Sequence, residues 1–220
     1  MNPIQDIFEL IGENHVATAL ETPLRDDAFA INDDLKIELI QAHFKEIMDI
    51  LGLDLNDDSL SGTPYRVAKM YVKEIFGGLN PMDKPDTKLF ENKYQYNEML
   101  IEKDITLFSY CEHHFLPIIG KVHVAYISGG KVIGLSKINR LVQYYAKRPQ
   151  VQERLTNQIA EGLKDALDSD DVAVIIEAVH LCVSARGIKD TNTNTITAHY
   201  SGKFQDEKTK TEFISLIHHT

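Results

Sequence analysis

The first third of the chain predicts two helices, because apolar residues recur there every three or four positions. The side chains of Asn32, Asp33 and Asp34 offer oxygens that can cap the first helix, and Gly52 stops it. Thr63 is expected to cap the second, with Pro64 at its first position, where the missing N–H loses no hydrogen bond, and Gly77 ends it. The apolar stripes are formed by Ile37, Ile40, Phe44, Ile47, Met48 and Leu51 in the first helix and by Val67, Met70, Tyr71 and Ile75 in the second. Both helices are therefore expected to be amphipathic.

A change to alternating apolar and polar residues predicts two strands after this helical part. The first includes residues 104–107 and runs directly into a Cys-Glu-His-His sequence. Pro117 and Gly120 are expected to interrupt the sheet before a second strand at 122–126, which ends at a Ser-Gly-Gly turn at 128–130. We expect the two strands to pair as in a hairpin.

Two further helices and two further strands complete the pattern. Ser136 is expected to cap a helix that ends before Pro149, and another helix runs from about 150 to 167. Residues 172–184 are almost continuously apolar, as expected for a strand that is buried on both faces. A last strand is predicted near 198–200. A terminal helix is predicted around the apolar residues Phe213, Leu216 and Ile217.

The order of elements is therefore strand, strand, helix, helix, strand, strand after a helical N-terminal part. This ββααββ pattern predicts an α+β fold. Residues 1–95 are assigned to an N-terminal helical region and residues 96–220 to a catalytic domain, and we expect the two to form one functional unit.

Composition narrows the class of protein. Of the 220 residues, 43% are hydrophobic and 25% are charged, as in an ordinary soluble globular protein. The net charge of −10 argues against nucleic-acid binding, which usually requires a basic stripe. Residues 1–30 show no signal peptide, and no apolar run approaches the roughly 20 residues that cross a bilayer. We therefore expect a cytoplasmic protein that binds neither nucleic acid nor membrane.

Cys111 and Cys182 are the only two cysteines, and each has a histidine within three positions. In a cytoplasmic chain, such thiols serve metal binding or catalysis more often than a disulfide. Cys111 and His114 are three residues apart and can reach one ion from a tight turn, with Cys182 as the third ligand. Two thiolates and one imidazole suit zinc, and three protein ligands leave a fourth position for water. Zinc is therefore the expected cofactor.

His113 and His180 are candidates for proton transfer, because histidine titrates near neutral pH. Residues two apart on a strand face the same way, so His180 is expected to point into the same space as Cys182. Three alternatives stay open: no metal at all, a closed structural site with His113 or His180 as the fourth ligand, and packing of His180 in the core.

Several cations are candidates for binding a phosphate. The segment 136–140 opens a helix, whose free N–H groups and positive dipole end suit an anion. The candidate contacts are Ser136, Lys137, Arg140, Arg186, Arg66 and Lys69, although each cation is more often a solvated surface charge. Gln152 and Glu153 begin the next helix, where a glutamate can complement the helix dipole or accept hydrogen bonds from a purine. The residues alone indicate a zinc hydrolase that acts on a phosphorylated small molecule.

Four long motifs resemble the GTP cyclohydrolase I family. They are Cys-Glu-His-His-Phe at 111–115, Gly-Leu-Ser-Lys-Ile-Asn-Arg at 134–140, Arg-Pro-Gln-Val-Gln-Glu-Arg at 148–154 and His-Leu-Cys-Val-Ser-Ala-Arg-Gly-Ile at 180–188. Segments 63–71 and 21–25 are similar as well. The resemblance covers the chain beyond its first 20 residues or so, and the order of the motifs makes it specific.

The resemblance implies the tunnelling fold, in which sheets of neighbouring subunits join into a barrel and form a toroidal homodecamer with active sites at subunit interfaces. It implies that GTP and water become 7,8-dihydroneopterin triphosphate and formate, the first step toward folate or tetrahydrobiopterin-type pterins. The implied zinc ligands are Cys111, His114 and Cys182, and the implied catalytic histidines are His113 and His180, with His180 protonating guanine N7. The implied substrate contacts are Gln152 and Glu153 for guanine, Ser136 for ribose, and Lys137, Arg140, Arg186, Arg66 and Lys69 for the triphosphate.

The sequence leaves two alternatives to membership of this family. Another tunnelling-fold pterin or deazapurine enzyme would use a three-histidine zinc site or a cysteine nucleophile without zinc, and the Cys/His/Cys set disfavours both. A non-enzymatic module with a structural zinc would have four protein ligands.

Overall fold

The computed structural model describes residues 20–86 and 88–218. Its helices are α1 (Asp33–Ile50), α2 (Thr63–Lys69), α3 (Leu135–Ala146), α4 (Gln152–Leu167), α5 (Leu181–Ser184) and α6 (Glu207–His218). Its strands are β1 (Leu89–Glu91), β2 (Met99–Cys111), β3 (Pro117–Ile127), β4 (Lys131–Ile133), β5 (Pro149–Gln150), β6 (Val172–His180) and β7 (Thr195–Tyr200). A π-helical turn, Met70–Ile75, extends α2. Residues 1–19, on which part of the signal-peptide prediction rests, lie outside the described residues.

Five strands form one sheet in the order β5-β2-β3-β6-β7. The pairs β2–β3, β3–β6 and β6–β7 are antiparallel, and the short β5 lies parallel to the end of β2. Helices α3 and α4 follow β2 and β3 and precede β6 and β7, so the predicted α+β order is confirmed. A separate two-stranded sheet pairs β1 with β4.

Strand β3 contributes to two apolar clusters. Val122 and Val124 belong to the large cluster that includes the buried residues of α3 and α4. Ala125 and Ile127 belong to a second cluster, which includes Phe213 of α6. Because successive side chains of a strand point to opposite faces, the sheet is covered on both sides. The same arrangement explains why the neighbouring strand β6 is almost continuously apolar, as predicted.

Helix α1 begins and ends close to the predicted positions. The side-chain oxygen of Asn32 accepts a hydrogen bond from the N–H of Leu35 at 2.9 Å, which confirms the predicted cap. Gly52 follows the helix with a φ of 78°, a left-handed conformation that glycine adopts without steric cost.

Within the described ranges, every helix is too short or too polar to cross a lipid bilayer.

Two predicted helix caps are wrong by one or two positions. Helix α2 is capped by Gly62, and Thr63 already belongs to the helix. Helix α3 is capped by Gly134, and Ser136 lies exposed in the first turn. Glycine is an accepted N-cap residue because it leaves the first N–H groups open to other partners. The Ser136 hydroxyl is therefore not used as the cap.

Pro117 and Gly120 lie within β3 and do not interrupt the sheet, contrary to the prediction. Pro117 is the first residue of the strand, a position that tolerates the missing N–H. Gly120 lies opposite Ala178 of β6. A Cβ atom at position 120 would meet the Cα of Ala178 at 2.6 Å and overlap the carbonyl oxygen of Glu177. Glycine is needed here because β6 approaches β3 so closely.

We predict that Gly120→Ala destabilises the protein by roughly 1–3 kcal/mol, because backbone of β6 must move to accommodate the methyl group. Urea unfolding at fixed protein concentration measures the effect as a lower midpoint. Gly129→Ala is the matched control, since a Cβ there meets no atom within 4 Å. Equal midpoints for the two variants would contradict the packing argument.

Candidate metal centre and active site

Residues 111–116 form a tight loop between β2 and β3, which we call the metal loop. Two hydrogen bonds close it: the N–H of Cys111 donates to the carbonyl of Leu116 at 2.9 Å, and the N–H of Phe115 donates to the carbonyl of Cys111 at 2.8 Å. Phe115 has a φ of 53°, in the left-handed region that a tight turn requires. The N–H of Glu112 donates to the carbonyl of Gln150 at 2.9 Å, which attaches the loop to β5.

Cys182 lies in the short helix α5 and not on a strand, contrary to the prediction. Strand β6 ends at His180, whose partner on β3 is Ile118. The neighbouring strand begins at Pro117 and offers almost no backbone beyond this pair, so β6 has nothing further to pair with. The chain turns into α5 instead. The prediction that His180 and Cys182 lie on one face of a strand is therefore wrong, because only His180 belongs to β6.

The turn into α5 brings Cys182 to the metal loop. The ligand atoms of Cys111, His114 and Cys182 all lie within 4.8 Å of one another. This spacing allows one ion to lie between them, and two sulfurs with one imidazole nitrogen form a donor set that zinc prefers. Both cysteines are free thiols, so neither is used in a disulfide. The three residues fit a zinc ion.

The protonation states of the ligands follow from their surroundings. Burial, followed by the neighbouring Cys111, raises the pKa of the Cys182 thiol to about 11. Burial, followed by the charge of Arg186 and then by His113, lowers the pKa of His114. A neutral imidazole is the form that binds a metal, whereas a protonated thiol must lose its proton first. Metal binding at this site is therefore expected to release protons.

Two of the other predicted residues contact the candidate ligands, and a third, His180, precedes Cys182 by two positions. Arg186 of the segment after α5 contacts Nε2 of His114 through its Nη1, at 2.7 Å. The Nδ1 of His113 lies 3.8 Å from the sulfur of Cys111. The Nε2 of His180 lies 2.8 Å from the side-chain oxygen of Gln152. Burial lowers the pKa of His180, and the carboxylate of the neighbouring Glu153 opposes this shift. The structure thus brings His113 and Arg186 to the candidate metal ligands and joins His180 to Gln152.

An ion pair between Glu112 and Arg154 joins the metal loop to helix α4. Two guanidinium nitrogens of Arg154 contact the two carboxylate oxygens of Glu112, the second at 3.4 Å. The side chain of Arg154 is only 3% exposed and that of Glu112 is 15% exposed. Both residues belong to the family-like motifs at 111–115 and 148–154, but the sequence alone predicted no role for either of them. One feature of the sequence pointed to an ion pair at Arg154. This residue directly precedes Leu155 of the apolar stripe, and an arginine that is buried there has to be paired.

The remaining predicted substrate contacts lie on other elements of the chain. Ser136, Lys137 and Arg140 are on α3, and Arg66 and Lys69 are on α2. In the part of the chain that the structure describes, no hydrogen bond or ion pair joins these five side chains to the metal ligands. Arg66 donates instead to the carbonyl of Ser59, at 3.1 Å. The hydrogen bonds and ion pairs within the described residues therefore connect only part of the predicted site.

An aromatic cluster supports the metal loop from the π-helical turn that extends α2 and from the residue that follows this turn. The ring of Phe115 contacts those of Phe76 and Tyr71, with centroid distances of 5.0 and 6.3 Å. A cavity of about 780 Å³ lies beside this cluster and is lined by Phe115 but by none of the three candidate metal ligands. The rings therefore hold the loop in place, while the chemistry lies elsewhere.

Comparison with known proteins gives one consistent family. A family model for GTP cyclohydrolase I matches residues 40–218, which include every candidate site residue. A protein named GTP cyclohydrolase 1 from Flavobacterium johnsoniae is 58% identical over 213 residues, covering 97% of this chain and 96% of that protein. A protein of the same name from Citrobacter koseri is 51% identical over 220 residues, covering 100% of this chain and 99% of that protein.

We predict that Arg154→Met destabilises the protein by roughly 3 kcal/mol, because it removes the arginine partner of a mostly buried carboxylate. The urea midpoint, at fixed protein concentration and metal loading, measures the loss. The double variant Glu112→Gln/Arg154→Met should recover much of it, since the carboxylate charge is gone. Arg25→Met is the matched control, because Arg25 forms an exposed ion pair with Asp27. Strictly additive losses in the double variant would contradict the pairing.

Proposed function

The chain belongs to the GTP cyclohydrolase I family, and we propose that it converts GTP and water to 7,8-dihydroneopterin triphosphate and formate. This reaction is the first step toward folate or tetrahydrobiopterin-type pterins. The observation that carries the proposal is the convergence of Cys111, His114 and Cys182 within 4.8 Å, with His113 beside them. The same residues belong to the motifs that resemble this family.

We propose that Cys111, His114 and Cys182 hold a zinc ion. When bound, zinc supplies a Lewis acid that makes water a nucleophile at neutral pH. The ligand group found among residues 20–86 and 88–218 has three members, which supports an open site and not a closed structural one. His180, one candidate for a fourth ligand, has its Nε2 atom bonded to Gln152 instead.

The proposed roles of the other residues follow from their positions. His180 is proposed to transfer a proton to guanine N7 while the imidazole ring of the base opens, and His113 is proposed to serve the further proton transfers. Glu153 is exposed at the start of α4 and is proposed to accept hydrogen bonds from the guanine N–H groups. The family resemblance also places Gln152 beside guanine. Ser136 is proposed to contact the ribose.

The triphosphate is proposed to bind Lys137, Arg140, Arg186, Arg66 and Lys69. Within the described residues, Arg186 alone of this set bonds a candidate metal ligand and the other four cations lie on α2 and α3, which supports active sites shared between subunits of a toroidal homodecamer. Among the described residues, no strand pairs with the outer edge of β7, and Ile196 on that strand is 62% exposed, so a neighbouring sheet can continue there. Regions 1–95 and 96–220 are proposed to act as one functional unit. The free thiols support a cytoplasmic location.

We predict that zinc-loaded protein incubated with GTP releases formate and a product that becomes a fluorescent pterin after oxidation. Formate and pterin should appear in equal amounts, because each turnover produces one of each. Loss of both products after zinc removal, with recovery on adding zinc, is the expected control. No product from fully zinc-loaded protein would refute the proposed function.

Cys182→Ser and His180→Ala should separate metal binding from proton transfer. Cys182→Ser is expected to lose both zinc and turnover, because only two ligands remain. His180→Ala is expected to keep zinc while kcat falls by roughly 10²- to 10⁴-fold, the usual contribution of a general acid or base. Zinc content by atomic absorption and formate release measure the two properties. His43→Ala, at an exposed histidine of α1, should change neither. Full activity of His180→Ala would refute its role.

A further inference from the structure

Both the nitrogen and the oxygen of the Gln152 side-chain amide form hydrogen bonds within the protein. Its amide nitrogen lies 3.2 Å from the carbonyl oxygen of Ile176, 3.0 Å from that of Thr195 and 3.1 Å from the hydroxyl of Thr197. Its amide oxygen lies 2.8 Å from Nε2 of His180. The residue is 1% exposed. Gln152 therefore ties the start of α4 to strands β6 and β7 and to a candidate catalytic histidine.

The orientation of this amide follows from the chemistry of its partners. Carbonyl oxygens only accept hydrogen bonds, so the group that faces Ile176 and Thr195 has to be the NH₂ end of Gln152. The opposite orientation would place the amide oxygen against two carbonyl oxygens in a buried site, which is strongly unfavourable. The oxygen of Gln152 therefore faces His180.

A pair of threonines supports the same orientation. The hydroxyl of Thr156 donates its single hydrogen to the backbone carbonyl of Gln152 at 2.8 Å. In the 2.7 Å contact between Thr156 and Thr197, the donor is then Thr197. Having donated its own hydrogen, Thr197 accepts from the amide nitrogen of Gln152. All hydrogen bonds in this group are therefore consistent with one orientation of the Gln152 amide, in which the nitrogen faces Thr197 and the oxygen faces His180.

The orientation of Gln152 determines the tautomer of His180. An amide oxygen cannot donate, so Nε2 of His180 has to carry the hydrogen in the 2.8 Å contact. In the neutral ring the lone pair then lies on Nδ1. Within residues 20–86 and 88–218, the ring of His180 has no second hydrogen-bond partner. Nδ1 is thus the ring nitrogen that remains for a substrate.

We propose that Gln152 is a positioning residue, which keeps the Nε2 hydrogen of His180 bonded to its amide oxygen, so that Nδ1 takes up a proton from solvent, forming the doubly protonated ring, and then gives this proton to the substrate. This inference rests on the proposed function and deepens it. It also revises the role that the family resemblance gives to Gln152. Its amide nitrogen already faces three acceptors, its amide oxygen is engaged by His180 and the residue is 1% exposed, whereas the adjacent Glu153 is exposed and available to guanine.

The tautomer can be observed directly in zinc-loaded protein labelled with ¹⁵N-histidine, by solid-state NMR without substrate. The His180 resonances are assigned by their loss in His180→Ala. We expect a pyrrole-type signal from Nε2 and a pyridine-type signal from Nδ1 in the neutral ring. In Gln152→Met the two tautomers should mix. A neutral wild-type ring that carries its hydrogen on Nδ1 overturns the inference, and this result requires only the His180→Ala variant that assigns the resonances.

Kinetics separate positioning from guanine binding. For Gln152→Met we expect kcat to fall by roughly 10- to 100-fold, the size of effect that a misplaced catalytic group causes, with little change in KM for GTP. A raised KM with unchanged kcat would show that Gln152 binds guanine, and would overturn the inference while leaving the proposed function intact. Failure of the wild type to turn over GTP would refute the proposed function instead, and the NMR result would still decide the tautomer.

Gln158→Met is the matched control for both measurements. Gln158 is also a glutamine of α4, is 2% exposed and is bonded to Gln150 and to the N-terminal segment at Leu20, but it does not contact His180. The substitution removes a comparable buried amide from the same helix. It should lower the urea midpoint without altering the His180 resonances or kcat. An equal loss of kcat in both variants would make Gln152 a merely structural residue and overturn the inference.

Discussion

The candidate site depends on the register of β3 between its two neighbours. Tyr110 of β2 pairs with Pro117, and His180 of β6 pairs with Ile118. These two pairs lie at the same end of β3, so β2 and β6 both end there. The metal loop leaves the sheet at this point and α5 begins at this point. Two cysteines that are far apart in sequence therefore meet because one strand aligns the ends of two others. A shift of register by one residue would turn every side chain of β6 to the opposite face.

Helix α4 uses three consecutive residues of its first turn for three different purposes. Successive side chains of a helix point about 100° apart, so neighbours in sequence face different surroundings. Gln152 faces β6 and β7 and contacts His180. Glu153 faces solvent, and Arg154 faces the metal loop and pairs with Glu112. The same turn thus pairs with the metal loop, bonds His180 and exposes a carboxylate, the three features on which the proposed roles depend.

Local patterns in the sequence predicted the parts of the fold that depend on local interactions. The periodicity of α1 and its Asn32 cap were confirmed, as was the order of strands and helices in the second half. The errors arose where distant parts of the chain decide the structure. Gly120 was expected to break a strand, but glycine is required there because β6 lies so close. The end of β6 at His180 depends on where its partner strand begins, which no local pattern shows.

The cysteines and histidines could be recognised as a possible metal site from spacing. The bonds of Gln152 and Arg154 could not, because they link residues through the tertiary structure.

A neutral amide suits the orientation of His180 better than a carboxylate would. A carboxylate beside an imidazole fixes the same tautomer, but it also favours the charged ring and adds negative charge. The chain already carries a net charge of −10, and Glu153 lies directly beside Gln152. The proposed substrate adds a triphosphate, which a further negative charge would repel. A glutamine fixes the hydrogen on Nε2 through its oxygen, and its nitrogen is held by two backbone carbonyls. In its proposed role it therefore sets the direction of proton transfer without adding charge to the site, so the cations of α2, α3 and Arg186 that are proposed to bind the phosphates are not neutralised.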